Sequence, residues 1–331
     1  MGDGIVADRA IAVLREARDE PFLLSVGFYR PHLPFVAPQR YFDLYPIESI
    51  QLPANRTPSI DAPIYGWFNV TRYFDPDWRV RYPDTAARIF TESNFLVPTD
   101  PQIAMASVSA EFRSYGDVPI YGEISERRQR EQLQAYYACV SYVDAQVGRV
   151  LAELTRLGLD DNTVVVLWGD HGWHLGENGL WGKLTNYDVS TRVPLIVSAP
   201  GRTPGATSAL VETVDIFPTL TELCGLPAVA QVEGTSMVPL LNQPDQPWKT
   251  AAFSQYPRSD EVMGRSIRTD RYRYVEWIRP TGEIAARELY DHADDPGESI
   301  NIANRTEHAA TARQLHDQLH AGWRAARPPQ L

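Results

Sequence analysis

Cysteine is scarce in this chain: the 331 residues contain two, Cys139 and Cys224, too few for a disulfide framework. Cys139 sits in a strongly helical run and Cys224 in the helix end "LTELCGLP", and both read as buried thiols rather than a bridge or a metal pair. Long apolar runs are missing too, since no stretch approaches the ~20 residues that a spanning helix needs. The opening "MGDGIVADRAIAVLREARDE" has no cationic segment leading into an apolar core, so it does not read as a signal peptide. It reads as the interior of a domain, with an earlier part expected to be missing. Basic residues are outnumbered, 31 Lys and Arg against 42 Asp and Glu, for a formal net charge of -11. That balance argues against general affinity for nucleic acid or an anionic membrane, and leaves any anionic ligand to local cations, a metal or both.

Several catalytic signatures are absent as well. There is no G-x-S-x-G elbow for a serine nucleophile, no phosphate-cradling G-x-x-x-x-G-K-[ST], no dinucleotide G-x-G-x-x-G after a strand, and no H-E-x-x-H or paired-cysteine zinc motif. No internal repeat or low-complexity tract interrupts the chain. N-x-[ST] triplets at Asn55, Asn69 and Asn304 are short enough to arise by chance.

What remains is the pattern of a globular α/β protein, with 44% hydrophobic and 22% charged residues. Helical spacing of Ile11, Leu14 and Ala17 predicts a helix over Ala7 to Asp19, and "PFLLSVGF" then predicts a buried strand. From Leu52 to Val118 prolines and aromatics crowd together without a period, which reads as a long irregular insertion. Ser125 to Leu157 predicts a long amphipathic helix whose apolar stripe includes Leu133, Tyr136, Tyr137, Val140, Val143, Val147, Val150, Leu151 and Leu154. "TVVVLW" predicts a central strand buried on both faces, "RVPLIVSAPG" another strand, and "VDIFPTLTELCG" a helix ending at Gly225. This rhythm implies an α/β fold, a mostly parallel sheet sandwiched by helices, over residues 1–241. Past a linker, "NQPDQPWKT", the segments "AAFSQYP", "GRSIRTD", "YRYVEWI" and "RELYDH" predict a small antiparallel α+β subdomain over 242–331, closed by a helix from about Glu307 to Arg327.

Open α/β sheets bind ligands beyond the carboxyl ends of their strands. Asp170 and His171 stand at that place after "TVVVLW", where a carboxylate and an imidazole can both ligate a divalent cation; the alternative is an Asp that caps a turn. Lys183, a dozen residues on, is either a point charge for an anion or a solvated surface lysine. His32 in "YRPHLPF" follows the other predicted strand, and Pro31 and Pro34 restrict its backbone, so it is a candidate general acid or a packing residue.

Taken together, "PFLLSVGFYRPHLPF", "YYACVSYVDAQVGRVL", "LWGDHGWHLGENGLWGKLTNYDVSTRVPLIVSAPG", "VDIFPTLTELCGLP", "AFSQYPR", "MGRSIRTDRYRYVEW" and "ELYDHADDP" resemble the sulfatases of the alkaline phosphatase superfamily, most of all the iduronate-2-sulfatase-like members. The resemblance runs from near Phe22 to near Asn301. It implies that Asp170 and His171 ligate a catalytic calcium, that Lys183 contacts the sulfate oxygens, and that His32 protonates the leaving alcohol. Trp173 is implied to shape a sugar pocket. It also implies sulfate-ester hydrolysis on a sulfated sugar, in a periplasmic, secreted or lysosomal setting. The family's nucleophile is a formylglycine made from the Cys or Ser of C-x-P-x-R or S-x-P-x-R. Neither "CVSYV" nor "CGLPA" fits, the serine form is expected to be absent as well, and so is the aspartate pair that completes the calcium site. The expectation is therefore the C-terminal portion of a sulfatase, inactive by itself and partnered by a missing N-terminal part. The rivals are a phosphatase or phosphodiesterase of the same superfamily and a non-catalytic homologue serving as a binding module.

Overall fold

Asp3, Ala7, Ala10 and Leu14 are buried at alternating intervals of four and three, which puts them on one face of the first helix, α1 (Gly2–Ala17). The computed structural model describes residues 1–67, 109–113, 115, 118–119, 123–258 and 261–329. The predicted insertion lies largely outside the described residues, as does Asn69.

Two compact units emerge. The first comprises Met1–Leu52, Glu123–Val165 and Val197–Gly201. In it, α1 and the short α2 (Gln39–Phe42) pack on α3 (Glu126–Arg156), a helix of 31 residues. Ser125 starts α3 by accepting a hydrogen bond from the Arg128 N–H, and Gly158, at φ 70°, follows its end. The buried face of α3 is Leu133, Ala138, Cys139, Tyr142, Gln146, Glu153 and Leu154. The predicted stripe is thus rotated: Val140 and Leu151 are exposed. The helix meets α1 and α2 through Ala138 and Tyr142, which pack with Tyr41, and the Tyr142 hydroxyl accepts the Gly4 N–H at 2.9 Å. Beyond that patch, Glu153 bonds Arg156 on its own helix and Arg15 on α1 at 2.7 Å. These two guanidiniums hold the Glu153 carboxyl down to about 2.

Pro21–Phe28 does not form the predicted strand. An extended segment becomes a strand only when a neighbour supplies a ladder, and none of the described residues does so. Its exit is instead fixed to α1, where Asp3 Oδ1 accepts the Tyr29 N–H at 2.6 Å.

The second unit comprises Pro53–Gly122, Val166–Ile196 and Arg202–Leu331. Strands β1 (Val165–Trp168) and β4 (Leu195–Ser198) pair, and β2 (His174–Leu175) pairs antiparallel with β3 (Trp181–Gly182) in the loop between them. With a single neighbour among the described residues, β1 is only half-buried and Trp168 is exposed, so the expectation of burial on both faces fails. A turn of helix, α4 (Asp188–Thr191), precedes β4, and α5 (Ile216–Leu223) ends near Gly225 at φ 65°, as the sequence predicts. The predicted linker is not a solvated tether, because Trp248 and Lys249 within it are buried.

All four predicted C-terminal strands form, as an antiparallel sheet in the order β5 (Ala252–Pro257), β6 (Met263–Arg268), β7 (Tyr272–Ile278) and β8 (Ile284–Asp291). Alternation along β7 sends Tyr274 toward Ile267, Leu289, Leu315 and Leu319, the last two on the closing helix α6 (Ala309–Ala321). Val275 and Trp277 pack on the opposite face with Val262 and Tyr65. Gly264 stands against Trp277, where a Cβ would meet the indole at 2.4 Å. The closing helix stops at Ala321 rather than near Arg327, because Gly322 takes φ 76°. Among the described residues no helix is long and apolar enough to cross a membrane.

Candidate functional site

The loop after β1 is shaped by close backbone contacts before any side chain matters. The Gly172 N–H donates to the Ser190 carbonyl at 2.9 Å, and a Cβ at Gly172 would meet the Val189 carbonyl oxygen at 1.9 Å. Only glycine fits there, and the close approach fixes where the preceding pair, Asp170 and His171, can project. The Asp170 side chain is 84% exposed and that of His171 36%. Asp170 Oδ1 accepts the His171 N–H at 3.0 Å. His171 Nδ1 lies 2.9 Å from the Gly172 carbonyl, and because a carbonyl only accepts, Nδ1 carries a proton, which in the neutral ring leaves the lone pair on Nε2. Nε2 and Asp170 Oδ2 are 3.5 Å apart, a separation that two ligands about 2.3–2.6 Å from one cation can span. The donor set therefore fits a divalent ion as part of a shell. Among the described residues no third carboxylate, imidazole or thiol joins these two.

Trp173, the next side chain, is 8% exposed. Lys183 places its Nζ 5.2 Å from the Trp173 ring centroid, a cation–π contact that joins the two ends of the loop. His174, which sequence reading did not single out, is fully enclosed. Its Nδ1 donates to the Glu177 carbonyl at 3.0 Å and its Nε2 accepts from the Thr185 hydroxyl at 2.9 Å. Thr185 is in turn 2.8 Å from Ser190 Oγ. Burial drives the His174 imidazole down to about 4, so it is a neutral structural tie and not a ligand. The signal for it was present, a histidine inside an aromatic, glycine-rich loop, but nothing local separated it from a site residue.

Deeper in the same unit, Arg273 lies between the rings of Tyr187 and Tyr290, 5.0 and 5.1 Å from their centroids. It donates to Glu298 and to the Asn186 carbonyl. Burial alone would raise the Glu298 carboxyl, yet Arg273 and His292 hold it down to about 2. Its other oxygen accepts the Asp188 N–H at 2.8 Å. Residues 186–188 of the loop are thus fastened to Arg273 on β7 and to Glu298 beyond the end of β8.

The structure brings Asp170 to His171 and Lys183 to Trp173 within one loop. His32 belongs to the first unit, where its Nδ1 donates to the Leu33 carbonyl at 2.9 Å and its ring lies 4.8 Å from that of Tyr29.

Two expectations need correction. Cys139 is buried, and burial pushes its thiol up to about 11, but Cys224 is exposed, because α5 ends just before it. The serine form of the formylglycine motif is present as a spelling: Ser198, Ala199, Pro200, Gly201 and Arg202 read S-A-P-G-R. It occupies the exposed end of β4 and the turn after it, where Gly201 takes φ 71° and Arg202 pairs with Asn242. A strand-end turn accounts for Pro200 and Gly201 without any modification.

Comparison with known proteins gives the geometry a setting. The family model described as "Sulfatase" matches residues 1–226, and one described as "N-sulphoglucosamine sulphohydrolase, C-terminal" matches residues 176–324. The iduronate 2-sulfatase of Mus musculus is 33% identical over 93% of this chain and 63% of its own length. A solved structure holding its substrate D-glucosamine-2-N,6-O-disulfate matches with a TM-score of 0.72 at 24% identity, covering 96% of this chain and 68% of that one. The phosphonate monoester hydrolase of Silicibacter pomeroyi matches with a TM-score of 0.73 at 23% identity, covering 99% and 61%. The α/β architecture with its antiparallel C-terminal sheet is that of these folds. The chain spans less than two thirds of the length of its curated relatives.

Proposed function

The chain belongs to the sulfatase family, and on that premise we propose that it serves the hydrolysis of a sulfate ester carried by a sugar. The observation that carries the reading is the loop after β1, which presents a carboxylate beside an imidazole with an available lone pair, and a lysine poised on a tryptophan. Relatives named iduronate 2-sulfatase, choline-sulfatase and N-acetylglucosamine-6-O-sulfatase support sulfate as the group removed, and two of the three support a sugar as its carrier.

Asp170 and His171 would hold calcium, which when bound supplies positive charge beside the sulfate oxygens. Lys183 adds a cation for the same oxygens, and its contact with Trp173 keeps the ammonium from swinging into solvent. Trp173 offers an apolar wall on which a sugar ring can rest. The family resemblance assigns the acid role to His32, which, with its Nδ1–H committed to the Leu33 carbonyl, would act as the imidazolium and give up the proton on Nε2. As a nucleophile supplied from outside this chain bonds to sulfur and the bond from sulfur to the ester oxygen breaks, that proton would pass to the ester oxygen, and the product would leave as a neutral alcohol. No residue of this chain is assigned as the nucleophile, because neither cysteine fits the family motif and Ser198 is the last residue of β4, at the entry to a surface turn. The setting expected from the family is periplasmic, secreted or lysosomal.

The test offers an aryl sulfate and the matched aryl phosphate, in calcium buffer, to the chain alone and to the chain co-expressed with the N-terminal segment of a sulfatase relative that carries the nucleophile. Turnover of the sulfate by the pair, with negligible turnover by the chain alone, is the expected result. Faster turnover of the phosphate would move the reading to the phosphatase alternative. In parallel, calorimetry with a sulfated monosaccharide should give calcium-dependent binding that Asp170→Asn and Lys183→Ala abolish. Binding unchanged by both substitutions would favour a non-catalytic binding module at a different surface.

A further inference from the structure

Glu276 lies in the middle of β7, fully enclosed, and two histidines from the closing helix converge on it. His316 Nδ1 is 2.6 Å from Oε1, and His320 Nε2 is 2.8 Å from Oε2. The histidines stand four apart, so one helical turn separates them on a single face, and their ring centroids are 4.3 Å apart. One ligand atom from each of the three groups can be chosen so that all lie within 4.8 Å of one another. Sequence reading passed over this constellation because the H-x-x-x-H pair says nothing until β7 supplies its carboxylate.

We infer that Glu276, His316 and His320 form a transition-metal site, with zinc as the ion it takes. Two imidazoles and one carboxylate are the ligand types zinc accepts in a tetrahedral shell, with water in the fourth place. At Zn–N and Zn–O distances of about 2.0–2.1 Å, ligand atoms stand about 3.3 Å apart. To admit the ion, the present contacts of 2.6 and 2.8 Å open by a fraction of an ångström, while the widest pair of ligand atoms, at up to 4.8 Å, closes toward the same spacing through side-chain rotation. The rings are partly exposed, 36% for His316 and 48% for His320, so an ion has an entry path and a side for water.

The surroundings are those of a supported ligand. The Tyr274 hydroxyl donates to Glu276 Oε1 at 2.7 Å, orienting the carboxylate from behind. Arg287 Nε is 3.8 Å from the same oxygen and balances the buried charge when no ion is present. Calcium is the wrong ion here, since it needs six to eight contacts rich in oxygen and the site offers one carboxylate. The site would clasp the closing helix onto the sheet, and it is independent of the sulfatase reading because none of its residues belongs to the loop after β1.

The test uses the full chain with Asp170→Asn and His171→Gln substituted to remove the other candidate ligands. It is stripped with a chelator, exchanged into chelator-free buffer and titrated with zinc by calorimetry. One saturating equivalent of zinc, undiminished by calcium, is expected. His316→Gln and His320→Gln should each weaken binding by at least about 100-fold, and Tyr274→Phe by about 10–100-fold, as loss of an outer partner does. A readout that needs no substitution in the site is pulsed EPR of the copper-loaded chain, which should count two coordinated imidazoles. No saturable zinc uptake, uptake unaltered by either histidine substitution, or fewer than two imidazoles around copper would each overturn the inference.

Discussion

Lys183 holds its ammonium 5.2 Å from the centre of the Trp173 ring, and that contact sets the reach of the cationic side chain proposed to meet the sulfate. In the co-expressed, active form, Lys183→Met should lower kcat by about 10²- to 10³-fold, the usual cost of losing one charge-stabilising donor. The melting temperature should barely move, because the side chain is only half-buried. Trp173→Leu should raise KM for a sugar sulfate more than for a small aryl sulfate, since it removes the wall and leaves the charge. Steady-state kinetics on both substrates check the split.

Gly172→Ala is expected to be costly out of proportion to one methyl group. The new Cβ would meet the Val189 carbonyl at 1.9 Å, and relief requires the backbone on one side to move. The expected destabilisation is about 1–3 kcal/mol, typical of overpacking, measured as a lower urea midpoint at constant slope. Binding of calcium at Asp170 and His171 should weaken in the same variant, because the loop that aims them has shifted.

Acid should act through His174. The folded protein keeps this imidazole neutral down to about pH 4, whereas the unfolded chain protonates it near its ordinary value of 6.5. Below 6.5 the unfolded state therefore binds more protons, so the stabilisation is complete above that pH and is lost as pH falls toward 4. The window is worth about 3 kcal/mol for a fully buried ring. Comparing urea unfolding of the parent and His174→Gln at pH 7 and pH 4.5 isolates it: the variant should lose less stability on acidification. Equal losses would show that other groups set the acid limit.

A buried lysine gives the sharpest stability prediction. Lys249 Nζ contacts both oxygens of Asp215 at 2.7 Å and Glu212 Oε2 at 2.9 Å. Asp215 also accepts the N–H groups of Glu212 and Thr235 and is wholly enclosed. Lys249→Met leaves that carboxylate without its counter-charge, at an expected cost of about 3–5 kcal/mol. Chemical denaturation checks it, and a loss under 1 kcal/mol would mean that the backbone donors suffice.

Ser198 should be an ordinary serine. Mass spectrometry of the peptide spanning Ser198 to Arg202 is expected to show no loss of hydrogen at that residue, and Ser198→Ala should leave turnover of the co-expressed form unchanged.

The elements written by local patterning were legible. The C-terminal strands, the 31-residue helix and the stop at Gly225 each follow from spacing and turn chemistry within a few residues. What sequence misplaced depended on distant partners. "PFLLSVGF" has the composition of a strand but acquires no ladder, and Val140 and Leu151 fit the helical period yet face outward because only one side of α3 is covered by α1 and α2. In the site, adjacency in sequence made Asp170 and His171 visible. Glu276 stayed hidden because forty residues part it from His316.

The clamp around Arg273 has an evolutionary corollary. A guanidinium held between Tyr187 and Tyr290, and bonded to both Glu298 and the Asn186 carbonyl, joins three stretches of sequence in one enclosed charge balance. Exchanging the C-terminal sheet for that of a relative would strand either a cation or a carboxylate in the interior unless the loop after β1 travelled with it. Recombination within this family should therefore inherit the two as a single block.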